Sequence, residues 1–193
     1  MELVLILAEL LGAHVKSDIK QCYNAGNMNV IVDGPKRVLF GGIAAYASTS
    51  LITNCYNLGN LNVSGTAEGD DNKVGACVGG ILGIDDALQD NAVSKVYNIG
   101  NVNSAVTTDA QFNVCGGIAG LVKAPVIKDA VYLSSSAQIG LGWDLKDGGT
   151  ACEGISSIDD VKNMPSVLDI MGEAFKKNNK NTNGYPILSW QNN

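Results

Sequence analysis

Few side chains in this 193-residue chain suit catalysis. His14 is the only histidine, and it is expected in the first loop among polar neighbours, with no nucleophile–base constellation around it. Five cysteines, Cys22, Cys55, Cys77, Cys115 and Cys152, include no C-x-x-C pair, and a single histidine leaves no Cys/His zinc site. They read as small buried hydrophobes, with an odd count that leaves at least one thiol unpaired within the chain. Two acidic stretches, Glu68-Gly-Asp-Asp71 and Asp85 to Asp90, carry oxygens of the kind that hold calcium. Neither matches a calcium-loop pattern, so solvated loops are expected. Hydrolysis of a glycoside needs two carboxylates converging on one face, and here the acids fall in loops while the only arginine is Arg37. No catalytic, cofactor-binding or metal-ligating residue is assigned. One row of side chains remains: Tyr23, Tyr56, Tyr97 and Tyr132. Rings repeated in register could line up to hold sugar faces or a protein; the plainer reading is that they stack on one another or pack under loops.

The tyrosines belong to a repeat. Ile19-Lys-Gln-Cys-Tyr-Asn-Ala-Gly-Asn27, Ile52-Thr-Asn-Cys-Tyr-Asn-Leu-Gly-Asn60 and Val93-Ser-Lys-Val-Tyr-Asn-Ile-Gly-Asn101 share one pattern. A fourth copy, Ile127-Lys-Asp-Ala-Val-Tyr-Leu133, keeps the apolar start and a tyrosine, reads as carrying one extra residue, and loses Asn-x-Gly-Asn. A second motif precedes three of the copies: Gly41-Gly-Ile-Ala-Ala45, Gly79-Gly-Ile-Leu-Gly83 and Gly116-Gly-Ile-Ala-Gly120. Ala8-Glu-Leu-Leu-Gly12 fits the same register without its leading glycines. Nine residues separate the apolar positions of the two motifs in three repeats; the third has twelve, an insertion near Asp85, Asp86 and Asp90.

Such short apolar, β-branched runs between Gly and Asn exclude helical repeats. Three strands per repeat are expected: at Gly-Gly-Ile, at Ile-x-x-Cys-Tyr and at Gly-Asn-Val. Stacked, they form an all-β, right-handed parallel β-solenoid of about four coils. One coil cannot bury its apolar face alone, so each completes the core of the next. Leu10, Ile43, Ile81 and Ile118 are expected in one inward row, and Cys22, Cys55, Val96 and Val131 in another. Gly26, Gly59 and Gly100 are expected at corners with positive φ. Asn24, Asn57 and Asn98 are expected to bond to one another and to turn backbone as a ladder.

Composition bounds the function. Apolar residues make up 46% and charged residues 17%, which excludes an ordinary disordered tail. The 23 glycines lack a Gly-x-y period, and 20 asparagines accompany them. A net charge of −6 disfavours nucleic acid. Leu3 to Leu11 resembles a signal-peptide core but lacks a basic start, is interrupted by Glu9 and is too short to span a bilayer. It is read as folded structure, and no membrane insertion is expected.

Gly-Gly-Ile-x-Gly followed by Ile-x-x-Cys-Tyr-Asn-x-Gly-Asn-Val resembles the GLUG motif of bacterial secreted and surface proteins, over roughly residues 8 to 133. That resemblance implies an adhesin-like solenoid or a non-catalytic region of an immunoglobulin A peptidase. It implies an extracellular or cell-surface location, no enzyme activity and no cofactor. The partner it implies is a host or environmental glycan or protein. Phe175 followed by Asn183-Gly-Tyr-Pro-Ile-Leu-Ser-Trp-Gln191 is similar to the element that closes such solenoids. A carbohydrate-binding or carbohydrate-cleaving β-helix and an accessory domain of a larger secreted protease are the alternatives.

Residues 1–133 are therefore expected to form the repeats and 134–193 a capping segment of the same domain. Ser157-Ile-Asp-Asp160 has the spacing of a helix start, and Pro165 ends that helix. Val167, Ile170, Met171 and Phe175 lie at helical spacing, expected to cover the open end of the solenoid. Tyr185 to Trp190 reads as a terminal strand.

Overall fold

The computed structural model describes residues 4–8, 11–15, 18–48, 50–71, 73–85, 92–123, 126–144, 154–160, 163, 166–180 and 184–192. The chain winds as a parallel β-solenoid. Coil one comprises β1 (Val4–Ala8), β2 (Leu11–Val15), β3 (Asp18–Lys20) with β4 (Tyr23–Asn24), and β5 (Met28–Asp33). Coil two comprises β6 (Arg37–Gly41), β7 (Ala44–Ser48), β8 (Leu51–Asn57) and β9 (Leu61–Thr66). Coil three comprises β10 (Val74–Gly79), β11 (Leu82–Asp85), β12 (Ala92–Asn98) and β13 (Val102–Thr107). Coil four has β14 (Phe112–Gly116), β15 (Ala119–Val122) and β16 (Val126–Leu133). The parallel stack runs past residue 133: β17 (Leu141–Asp144) pairs with β15, and β18 (Ile155–Ile158) pairs with β16.

Each full coil therefore has four sides, not three. Sheet A stacks β1-β6-β10-β14, sheet B β2-β7-β11-β15-β17, sheet C β3-β8-β12-β16-β18 and sheet D β5-β9-β13. The Gly-Gly pair is the corner between sheets A and B instead of a strand. Strands β6 and β10 end on Gly41 and Gly79, and β7 and β11 resume at Ala44 and Leu82. Sheets A and B then fold back with their backbones almost in contact. A Cβ on Gly83 would lie 2.5 Å from the Ala45 carbonyl oxygen and 2.9 Å from the Phe40 nitrogen. The extra strand escaped the sequence pattern because Arg37-Val-Leu-Phe40 is buried without polar alternation.

Three apolar seams hold the coils. Ile43, Ile81 and Ile118 pack with Ile52, Val93, Cys55 and Val96 between sheets B and C. Val38, Phe40 and Val78 meet Leu61, Val63 and Val102 between sheets A and D. Leu39, Cys77, Ile84 and Leu121 fill the narrow space between A and B. The Ile43–Ile81–Ile118 row is as expected, and Leu10 lies outside the described residues. Fully burying each such aliphatic side chain is worth about 1.5–3 kcal/mol. His14 falls in β2, opposite Ala47, instead of a loop.

The fourth repeat carries no extra residue. Ala130, not Val131, sits opposite Val96 in the inward row, and Val131 sits opposite Tyr97. Coil four also lacks a sheet D strand. A turn at Ser134–Ser136 replaces it, and Ser136 carbonyl accepts the Val102 N–H at 2.9 Å. The Asn113 side-chain amide donates to the Val106 carbonyl at 2.9 Å, and the Cys115 thiol to the Val102 carbonyl at 3.5 Å. Sheet D thus ends on an edge partly occupied by side chains, which disfavours pairing with another chain.

The expected helix at Ser157 is absent: that segment is β18, the last rung of sheet C. Helix α1 (Leu168–Met171) is a single turn, followed by β19 (Phe175–Lys176), which pairs antiparallel with β20 (Ile187–Leu188). These elements lie along the side of sheet C, against Tyr56, Tyr97 and Val131, and not across the end of the solenoid.

Candidate functional site

The tyrosine row forms on sheet C from three coils. Register places Tyr23, Tyr56 and Tyr97 directly above one another. The Tyr23 and Tyr56 rings stack at 5.1 Å with 15° between planes, and those of Tyr56 and Tyr97 at 4.8 Å with 7°. Tyr132 is not in this column; it stands opposite Asn98, in the asparagine row, half-buried against the core. The signal was available: four residues separate Ile19, Ile52 and Val93 from their tyrosines, but Ile127 from Val131.

The C-terminal segment clasps the column. Phe175 lies 6.2 Å from the Tyr56 ring and 5.9 Å from that of Tyr97, tilted by 54° and 52°. The Tyr56 hydroxyl donates to Gln191 Oε1 at 2.8 Å, and the Tyr97 hydroxyl donates to the Pro186 carbonyl. The same Gln191 oxygen accepts the Leu188 N–H at 2.7 Å. Tyr56 and Tyr97 are consequently 1% and 0% exposed. Loss of hydration pushes both hydroxyls above their ordinary range. Tyr23 differs: it is 37% exposed, with the 57% exposed Trp190 beside it at 6.2 Å and 44°. The open part of the row is this Tyr23–Trp190 pair. Phe175, Trp190 and Gln191, expected in a segment that closes the solenoid, instead cover the tyrosines, a contact the sequence does not signal because Gln191 lies 135 residues from the tyrosine it binds.

The asparagine ladder beside the tyrosines forms as expected. Asn24 Nδ2 donates to Asn57 Oδ1 at 2.8 Å, and Asn57 Nδ2 to Asn98 Oδ1 at 2.7 Å. Each amide also closes its own corner, donating to the carbonyl two residues on and accepting that residue's N–H. All three side chains are buried. The corner glycines do not have positive φ. At Gly59 and Gly100 the coils approach too closely for a side chain: a Cβ on Gly59 would lie 1.8 Å from the Gly26 carbonyl oxygen, and on Gly100 2.0 Å from that of Gly59. Positive φ falls instead on Gln21, Asn54, Lys95 and Asp129, at 54°, 55°, 52° and 53°. One residue per coil bulges there, just before the inward cysteine, valine or alanine.

Two of the loop carboxylates are engaged in structure. Asp70 pairs with Arg37 at 3.3 Å and accepts the Val74 N–H at 2.7 Å, and Glu68 pairs with Lys36. Within the acidic stretch at 68–71 Glu68 and Asp71 are exposed, as expected of a solvated loop, while the Asp70 side chain is buried against Arg37. Asp85 closes β11 and is buried, while Asp86 and Asp90 lie outside the described residues. Among the described residues no group of three or more His, Cys, Asp or Glu side chains is placed to hold a metal ion. No helix among them is long and apolar enough to cross a membrane. No protein-family model matches the chain, and no curated protein or solved structure gives a significant match.

Proposed function

We propose that this chain is a non-catalytic extracellular repeat module of a bacterial surface protein, a stalk or adhesion unit of the GLUG kind. The observation that carries this reading is where the repeated residues go. The Asn-x-Gly-Asn and Gly-Gly-Ile motifs build corners and inward rows, so these repeated residues serve coil stacking. The acids at 68–70 are paired with bases, which fits a scaffold better than a glycosidase needing free carboxylates. Adhesion has one further support, the exposed Tyr23–Trp190 pair, whose rings suit a sugar face or an apolar side chain.

The test is a binding screen of the chain on arrays of glycans and extracellular host proteins, run beside Trp190→Ala. A ligand whose signal drops at least tenfold in Trp190→Ala supports adhesion through the aromatic pair. Turnover of any polysaccharide that disappears on neutralising a single acid would overturn the non-catalytic reading.

A further inference from the structure

Two of the five cysteines stand in one slot of adjacent coils. Tyr23 lies opposite Tyr56, so the preceding residues, Cys22 and Cys55, share a level of the inward row, and the Tyr56 N–H donates to the Cys22 carbonyl at 3.1 Å. Neighbouring strands run about 4.8 Å apart, within the roughly 4.4–6.8 Å between Cα atoms that a disulfide spans. The Cys22 thiol donates to the Lys20 carbonyl at 3.3 Å and the Cys55 thiol to the Thr53 carbonyl at 3.2 Å, so the two sulfurs occupy matching places in their coils. Cys55 is fully buried, whereas Cys22, at the end of the row, is half-buried and reachable. Cys77 and Cys115 have no such neighbour: register sets Cys77 opposite Leu39 and Val114, and Cys115 opposite Val78.

We infer that Cys22 and Cys55 are a disulfide-forming pair that staples the first coil to the second, using a small-molecule disulfide such as oxidised glutathione as the oxidant. The order of events follows from access. The adjacent Cys55 thiol lowers Cys22 below the ordinary thiol value and is itself raised, so Cys22 is the thiol that ionises first, while burial pushes Cys77 up to about 12 and Cys115 to about 11. The Cys22 thiolate attacks one sulfur of oxidised glutathione and expels one glutathione thiolate. Cys55 then loses its proton to that thiolate or to water and attacks Cys22 Sγ in the mixed disulfide, releasing the second glutathione. Two protein thiols are oxidised, one disulfide is reduced to two glutathiones, and the protein loses two hydrogens. The staple falls where it has most to hold. Among the described residues coil one stacks on coil two alone, so it has a neighbour on one side only. This inference is independent of the adhesion reading and stands or falls separately.

The test uses the whole chain, reduced and then exposed to oxidised glutathione at neutral pH without denaturant. After denaturation the thiol count should fall from five to three. Trypsin should release peptides 21–36 and 38–73, each with one cysteine, joined to each other. In Cys55→Val, which places in coil two the side chain that Val96 supplies in coil three, the same treatment should leave glutathione attached to Cys22. Five remaining thiols, a lasting glutathione adduct on Cys22 of the unaltered chain, or a link through Cys77, Cys115 or Cys152 would overturn the inference.

Discussion

The amide of Asn57 engages four groups: it donates to Asn98 and to the Gly59 carbonyl, and accepts from Asn24 and from the Gly59 N–H. At 0% exposure water cannot replace them. Asn57→Ala should therefore destabilise the fold by about 2–3 kcal/mol, read as a shifted midpoint in urea, because the neighbours' amides are left buried and unpaired. The nearby glycine and bulge positions should respond in opposite directions. Gly59→Ala must displace the Gly26 carbonyl and should cost more than Asn57→Ala. Gln21→Gly relieves a left-handed residue at φ 54° on an exposed side chain and should stabilise by up to about 1 kcal/mol. Equal losses in both variants would contradict the assignment of strain. The asparagine ladder was legible from recurrence alone. The reason for the glycines was not, since a close carbonyl and a positive φ leave the same mark in a sequence.

At the scale of elements, the clasp formed by α1, β19 and β20 decides what the tyrosine column does. The plainer reading of the row holds: its three rings stack on one another, and two of them are capped by the C-terminal segment. Tyr97→Ala should then cost about 3–5 kcal/mol, as for other large buried aromatic deletions, with Tyr97→Phe costing only about 1 kcal/mol for the lost bond to Pro186. The column also sets an alkaline limit. Burial raises the Tyr56 and Tyr97 hydroxyls above their ordinary value of 10 in the folded state. Their contribution is complete below the unfolded value and is lost as the pH climbs from there through the raised folded values. Stability should fall above about pH 10, and tyrosinate absorbance from these two rings should appear only as the fold opens. Tyr97→Phe should make that fall shallower.

Across the whole molecule, parallel coils interact mainly with their neighbours, so stability should vary along the stack. Coils two and three are flanked on both sides, and coil one is stacked on coil two alone among the described residues. Amide exchange should be slowest in β8 and β12 and faster in β3 and β5, measured by native-state hydrogen exchange under reducing conditions. Uniform protection from coil one to coil four would contradict nearest-neighbour stacking. The ion pairs Lys36–Glu68 and Arg37–Asp70 add a link between coils two and three that coil one does not show among the described residues.

The parallel stack and most of its register follow from the repeat. Identical side chains at matched spacing can complete one another's core and hydrogen bonds only when they lie one above another, as Ile43, Ile81 and Ile118 or Asn24, Asn57 and Asn98 do. Spacing within one repeat also held the answer for the fourth copy, where Val131 and not Tyr132 takes the ring's place. Only the folded chain revealed the number of sides per coil, because β6 and β10 of sheet A are buried on both faces and show no alternation to read. It also decided which tyrosines meet solvent. That outcome rests on Phe175, Pro186, Trp190 and Gln191 returning from far along the chain, contacts whose partners share no motif and no period with the rings they cover.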